Sequence, residues 1–153
     1  MKRHWLMKSE PSSFSVDDLR RRPRRTEPWD GVRNYQARNL IRDEMSPGDL
    51  AFFYHSSCAE PGIAGVMEVA SPAYPDATAF DPSHHHFDPD SSPDSPRWLL
   101  VDVRLVRKLR RIITLTELKA HPELSGLQLL KRGNRLSVMP VSPAHWDFIL
   151  GLE

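Results

Sequence analysis

The 153 residues carry a formal net charge of +1, with 39% hydrophobic and 27% charged side chains, a balance ordinary for one globular domain able to bury its own core. No apolar run approaches the ~20 residues of a membrane-spanning helix, and the basic start reaches Lys8 after too short an apolar stretch for a secretion signal. The single cysteine, Cys58, excludes an internal disulfide and a cysteine-based zinc site, so a reducing compartment is expected: bacterial cytoplasm, or the nucleus if the source is eukaryotic.

In chain order, His4 to Lys8 is rich in large apolar residues and predicts a buried first strand, with Ser9 and Glu10 at its exit. Ser15 followed three residues later by Asp18 is a near capping box, predicting a short helix that ends before Pro23. Asn34 is placed to cap a helix running through Asp43, with Ala37, Leu40 and Ile41 on one face. Pro47-Gly48-Asp49 signals a turn into a strand over Leu50 to Ser56, and a further strand is expected over Ile63 to Ala70. Residues 71 to 96, rich in proline and aspartate, read as an irregular excursion ordered only by packing on the body. Leu99, Val101, Val103 and Leu105 alternate with Leu100, Asp102 and Arg104, the pattern of a half-buried strand. Thr114 with Glu117 opens a short helix, and a helical turn is expected over Gly126 to Lys131. Leu136 to Val141 reads as a last strand, at an edge because of Pro140. Ser142, Pro143 and Gly151 bracket a final helix that buries Trp146, Ile149 and Leu150. The helices are too short and few for regular crossovers, so the expectation is a single α+β domain over residues 1–153: a mixed β-barrel with short flanking helices.

Charge is segregated along the chain. Arg20, Arg21, Arg22, Arg24 and Arg25 form a basic tract, residues 97 to 135 are predominantly basic, and residues 76 to 95 carry aspartates without a lysine or arginine. Such segregation permits a basic face suited to phosphates. Chemistry is harder to find. There is no glycine-rich phosphate loop and no G-x-S-x-G elbow. Cys58 has His55 nearby in sequence but no third group to orient it. The run His84-His85-His86 has suitable donors, but adjacent residues of an extended segment point to opposite sides, so no metal site and no cofactor are assigned.

The stretch Trp29-Asp30-Gly31-Val32-Arg33-Asn34-Tyr35-Gln36-Ala37-Arg38-Asn39 has more hydrogen-bonding side chains than a core segment needs. Trp29 offers a stacking surface, Gly31 permits close backbone approach, Arg33 and Arg38 suit phosphates, and Asn34 or Gln36 can match a base edge. The alternative is structural, with Trp29 plugging a barrel end, Asp30 pairing with Arg33, and Asn34 serving only as a cap.

These words, with Trp5-Leu6-Met7-Lys8-Ser9-Glu10-Pro11, Phe53-Tyr54-His55-Ser56, Gly62-Ile63-Ala64-Gly65, Tyr74-Pro75-Asp76, Arg97-Trp98 and Arg135 to Val141, span nearly the whole chain, and together they resemble the EVE domain family. The resemblance implies a PUA-like barrel that recognises modified bases in DNA or RNA, without catalysis. It implies a base pocket drawn from Lys8, Ser9, Trp29, Gly31, Val32, Arg33, Asn34, Tyr54, His55, Ser56, Ser137 and Pro140. The phosphates would be held by Arg20, Arg21, Arg22, Arg24, Arg25, Arg38 and Arg135. No membrane partner is expected, and a monomer is the simplest state. Two other readings stay open: a small nucleobase- or nucleoside-directed hydrolase using His55 as base, and a protein-interaction module with a vestigial pocket.

Overall fold

A computed structural model describes residues 2–153. Its regular elements are β1 (His4–Ser9), α1 (Val16–Arg21), β2 (Thr26–Pro28), α2 (Tyr35–Asp43), β3 (Leu50–His55), β4 (Gly62–Val69), β5 (Tyr74–Pro75), β6 (Leu99–Leu100), β7 (Asp102–Thr114), α3 (Leu115–Lys119), β8 (Val138–Val141) and α4 (Pro143–Leu150). Six strands form one mixed sheet in the order β2-β7-β4-β3-β1-β8. The chain therefore makes a curled half-barrel with β2 and β8 as its outer strands, in keeping with the expected α+β mixed barrel with short flanking helices.

The near-continuous apolar character of β1 and β3 follows from their position in the middle of the sheet, where both faces are covered. The two run parallel, with Leu6 opposite Phe52 and Lys8 opposite Tyr54. Parallel neighbours need a long connection, and α1, β2 and α2 together form it, which puts Trp29–Asn34 into this crossover. At the other side of β1, β8 runs antiparallel with Pro140 opposite Trp5, an outer position where a missing N–H can be accommodated. Asp49, at the turn into β3, accepts from the Trp5 indole Nε1 at 3.0 Å and from the Ser46 and Arg3 backbone N–H groups, fastening the turn to β1.

Strand β7 is longer than its alternating half. Val103, Leu105, Leu109 and Ile113 are buried, but the spacing changes beyond Leu105 because the pairing with β4 shifts between Ile63 and Gly65 and again between Val66 and Met67. Such irregularities increase twist and bend the sheet. Gly62 is required there: a Cβ would lie 2.5 Å from the Ile113 carbonyl oxygen. On the concave core, Trp146 of α4 stacks on Phe52 with ring centroids 3.9 Å apart. The predicted caps are in place: Ser15 and Asp18 complete a capping box, Thr114 accepts from Glu117 N, and Ser142 accepts from His145 N. Residues 71 to 96 pack on the body as expected, but they also contain β5, which pairs with β6, and a 3-10 turn capped by the buried Asp76. No helix among the described residues is long and apolar enough to cross a membrane.

Candidate nucleic-acid interface

Because β1 and β3 are parallel, their C-terminal ends lie on the same side of the sheet. Ser9 pairs with His55, the Ser56 N–H donates to the Ser9 carbonyl at 3.0 Å, and the Lys8 N–H donates to the Ser137 carbonyl at 2.8 Å. Lys8, Ser9, Tyr54, His55, Ser56 and Ser137 are thus one neighbourhood. Several of their polar atoms are already engaged. Ser9 Oγ donates to the Phe14 carbonyl at 2.6 Å, and His55 Nε2 accepts the Val16 N–H at 3.1 Å. Burial lowers the His55 pKa, with Lys108 acting in the same direction and Asp17 against it, so a neutral ring that accepts at Nε2 is favoured. Burial also pushes the Lys8 ammonium down and, together with Cys58, the Tyr54 phenol up to about 12.

The crossover segment packs over this core. Trp29 donates its backbone N–H to the Val101 carbonyl, sets its ring edge-on to Phe53 at 5.2 Å, and is only 7% exposed. Val32 is buried. Gly31 has φ +81 and lies so close under the His86 ring that an added Cβ would come 2.4 Å from His86 Cε1. Arg33 does not pair with Asp30. Its guanidinium bonds the Asp76 carboxylate at 3.0 Å and the His86 carbonyl at 2.7 Å, and it lies 5.5 Å from the Trp98 ring centroid. The donors expected for a phosphate or base therefore hold residues 76–86 against the crossover. Asn34 Oδ1 caps α2 by accepting the Ala37 N–H at 2.9 Å, while its side chain stays exposed.

Exposed hydrogen-bonding capacity concentrates just beyond, where Asn34 and Gln36 face Lys131, Arg132, Asn134 and Arg135 across a groove of about 360 Å³. Beside it, Tyr35 is 50% exposed and stacked on Trp98 at 4.9 Å, with the Arg38 guanidinium 4.8 Å from the Tyr35 ring centroid. Arg38 also donates to the Arg97 carbonyl and the Asn39 side chain. Of the residues expected to hold phosphates, Arg135 lies in this groove, whereas Arg20, Arg21, Arg22, Arg24, Arg25 and Arg38 do not line it. Arg20, Arg21 and Arg22 pair with Asp17, Asp18 and Glu27, whereas Arg24 and Arg25 form no ion pair among the described residues. Pro140 stands apart from the other pocket candidates. The antiparallel direction of β8 carries it to Trp5, where it lines a separate cavity of about 670 Å³ with His4 and Asp49.

Sequence reasoning missed Asp76 as the anchor of Gly31 and Arg33, and the exposed Tyr35 on Trp98. It also missed Lys131 and Arg132, whose signal was the basic run Lys131-Arg132-Gly133-Asn134-Arg135. The histidines differ as well: their rings converge instead of diverging, with centroids 3.9–4.8 Å apart.

Comparison with known proteins bears on this arrangement. The family model described as EVE domain matches residues 3–152. Human thymocyte nuclear protein 1 is 47% identical over 98% of this chain and 73% of its own length. The crystal structure of human THYN1 protein in complex with 5-methylcytosine-containing DNA superposes with a TM-score of 0.94 at 46% identity, covering 99% of this chain and 97% of that one. A crystal structure of a Pseudomonas putida protein gives a TM-score of 0.93 at 49% identity, covering 97% and 98% of the two chains.

Proposed function

This chain belongs to the EVE domain family, and we propose that it is a nucleic-acid-binding module that holds a modified base, with 5-methylcytosine in DNA the first to test. The observation that carries the reading is the human relative, crystallised with 5-methylcytosine-containing DNA and matching this chain over nearly its whole length. A duplex base must leave its stack to be held, at a cost of a few kcal/mol, and stacking on an aromatic side chain returns ~1–3 kcal/mol. The residues to which we assign this role are Lys8, Ser9, Tyr54, His55, Ser56 and Ser137 at the strand ends, with Trp29, Val32 and Asn34 from the crossover. A methyl group fitted to apolar walls adds ~1–3 kcal/mol, a preference of roughly 10- to 200-fold over cytosine. The groove with Arg135, Lys131 and Arg132, together with Arg24 and Arg25, which form no ion pair among the described residues, supplies phosphate contacts that position the strand without reading it. Such a partner accords with the nucleus of a eukaryote or the cytoplasm of a bacterium.

The hydrolase reading requires a free lone pair on His55. Its Nε2 already accepts the Val16 N–H at the start of α1, so base catalysis there would break the helix entry. This speaks for a binder that does not turn over its ligand.

The test is fluorescence-monitored titration with short DNA strands carrying cytosine or 5-methylcytosine, using wild type and Trp29→Phe. Truncating a buried tryptophan to alanine costs ~3–5 kcal/mol, so phenylalanine is the variant that preserves a folded domain. The expected result is tighter binding of the methylated strand by wild type and a reduced preference in Trp29→Phe. Equal affinity for both strands in wild type would overturn the base-reading role.

A further inference from the structure

We propose that His84, His85 and His86 form a binding site for one divalent transition-metal ion of the zinc class. A ligand-capable atom of each of the three lies within 4.8 Å of the others. The convergence is a property of the local backbone. The His84 N–H donates to the Asp81 carbonyl and the Phe87 N–H to the His84 carbonyl, so the triplet is wound into a turn and its side chains share a side. Imidazole nitrogens ~2.0–2.1 Å from a tetrahedral ion are ~3.4 Å apart, so ring rotations of an ångström or so close the set. Imidazole donors suit zinc, nickel and copper and do not suit magnesium.

Two further observations favour coordination. His86 Nδ1 is buried without a hydrogen-bond partner among the described residues, an unusual state for a polar atom and one that a ligand relieves. The platform is also held in place. The His86 carbonyl accepts from Arg33, which is bonded to the buried Asp76, and the His86 ring rests on Gly31, while two residues on Asp88 accepts from the Trp98 indole at 2.6 Å. A preformed site of this kind loses little freedom on binding. His84 Nδ1 accepts the His86 N–H at 3.0 Å, and an ion bound at that nitrogen exchanges this contact for a coordinate bond. Three imidazoles leave the fourth tetrahedral position to water.

The test is calorimetric titration of tag-free protein with Zn2+, with Mg2+ as control, on wild type, His85→Ala and the double variant His84→Ala/His85→Ala. His85 is exposed and makes no side-chain hydrogen bond among the described residues, so its removal leaves the fold intact. Wild type is expected to take up one equivalent of Zn2+ and no Mg2+. His85→Ala should bind at least tenfold more weakly and the double variant weaker still. The melting temperature should rise by about 5 °C in wild type at a Zn2+ concentration about a hundredfold above its Kd, and by about half of that or less in the two variants at the same concentration. Absence of Zn2+ uptake, or equal affinity in all three proteins through other histidines, overturns the site. No nucleic acid enters the measurement, so its outcome is independent of the base-reading role.

Discussion

At the scale of single residues, Asp76 joins segments far apart in the chain, accepting from the Gly31 N–H at 2.9 Å and from Arg33 at 3.0 Å while itself 0% exposed. Burial alone would raise its pKa, but hydrogen bonds from Thr78, Gly31 and Arg33 outweigh it and hold the carboxyl below its ordinary value. Asp76→Asn leaves Arg33 half-buried without its counter-charge and should cost about 3 kcal/mol, read as a lower urea midpoint. His55 gives a pH dependence of definite sign. Its folded pKa lies below the ordinary histidine value of about 6.5, so the unfolded chain binds the proton more readily. Its contribution is present above that value and is lost as pH falls from about 6.5 through the lowered folded pKa. His55→Gln, which retains an acceptor for Val16 N–H, should flatten the change in stability between pH 7 and pH 5, measured by denaturant titration at each pH.

At the scale of elements, α2 presents Asn34 and Gln36 to the basic groove from its start. Asn34 has two tasks there, capping the helix through Oδ1 and facing the basic groove. The two tasks separate by substitution. Asn34→Ala should lose about 1 kcal/mol of stability, whereas Asn34→Asp keeps the cap and places a negative charge in the groove. Asn34→Asp should therefore melt like wild type and bind DNA more weakly, seen by thermal denaturation and titration on the same samples. The helix starts were legible because capping is local: Ser15, Asn34, Thr114 and Ser142 each bond within three residues of themselves. Strand β2 and the outer half of β7 were not legible. Thr26–Pro28 has no apolar alternation and is a strand only because β7 lies beside it, and the shifted register past Leu105 breaks the period-two signal.

At the scale of the whole molecule, the net charge of +1 conceals a basic groove and an acidic excursion. Phosphate contacts release counterions, so log K should fall linearly with log salt, and each lost contact should lower the slope by about one. Arg132→Ala with Arg135→Ala should reduce that slope by about two while leaving the preference for the methylated base unchanged. Because Arg20 and Arg21 already pair with Asp17 and Asp18 and Arg24 and Arg25 do not, Arg24→Ala/Arg25→Ala should reduce the slope more than Arg20→Ala/Arg21→Ala. The same titrations at several salt concentrations check both.

The sequence by itself determined whatever depends on near neighbours: the helix starts, the apolar centre strands, the outer place of Pro140, and family words whose order runs the length of the chain. Only the tertiary structure decided which side chains remain available. It turned Trp29 edge-on into the core and left Tyr35 outside, engaged Arg33 with Asp76, moved Pro140 to the far end of β8, and wound three histidines onto one side of a turn. The physical reason is that a side chain's chemistry is written in its residue type, whereas its free donors, its exposure and its pKa are set by partners that the fold brings from dozens of residues away.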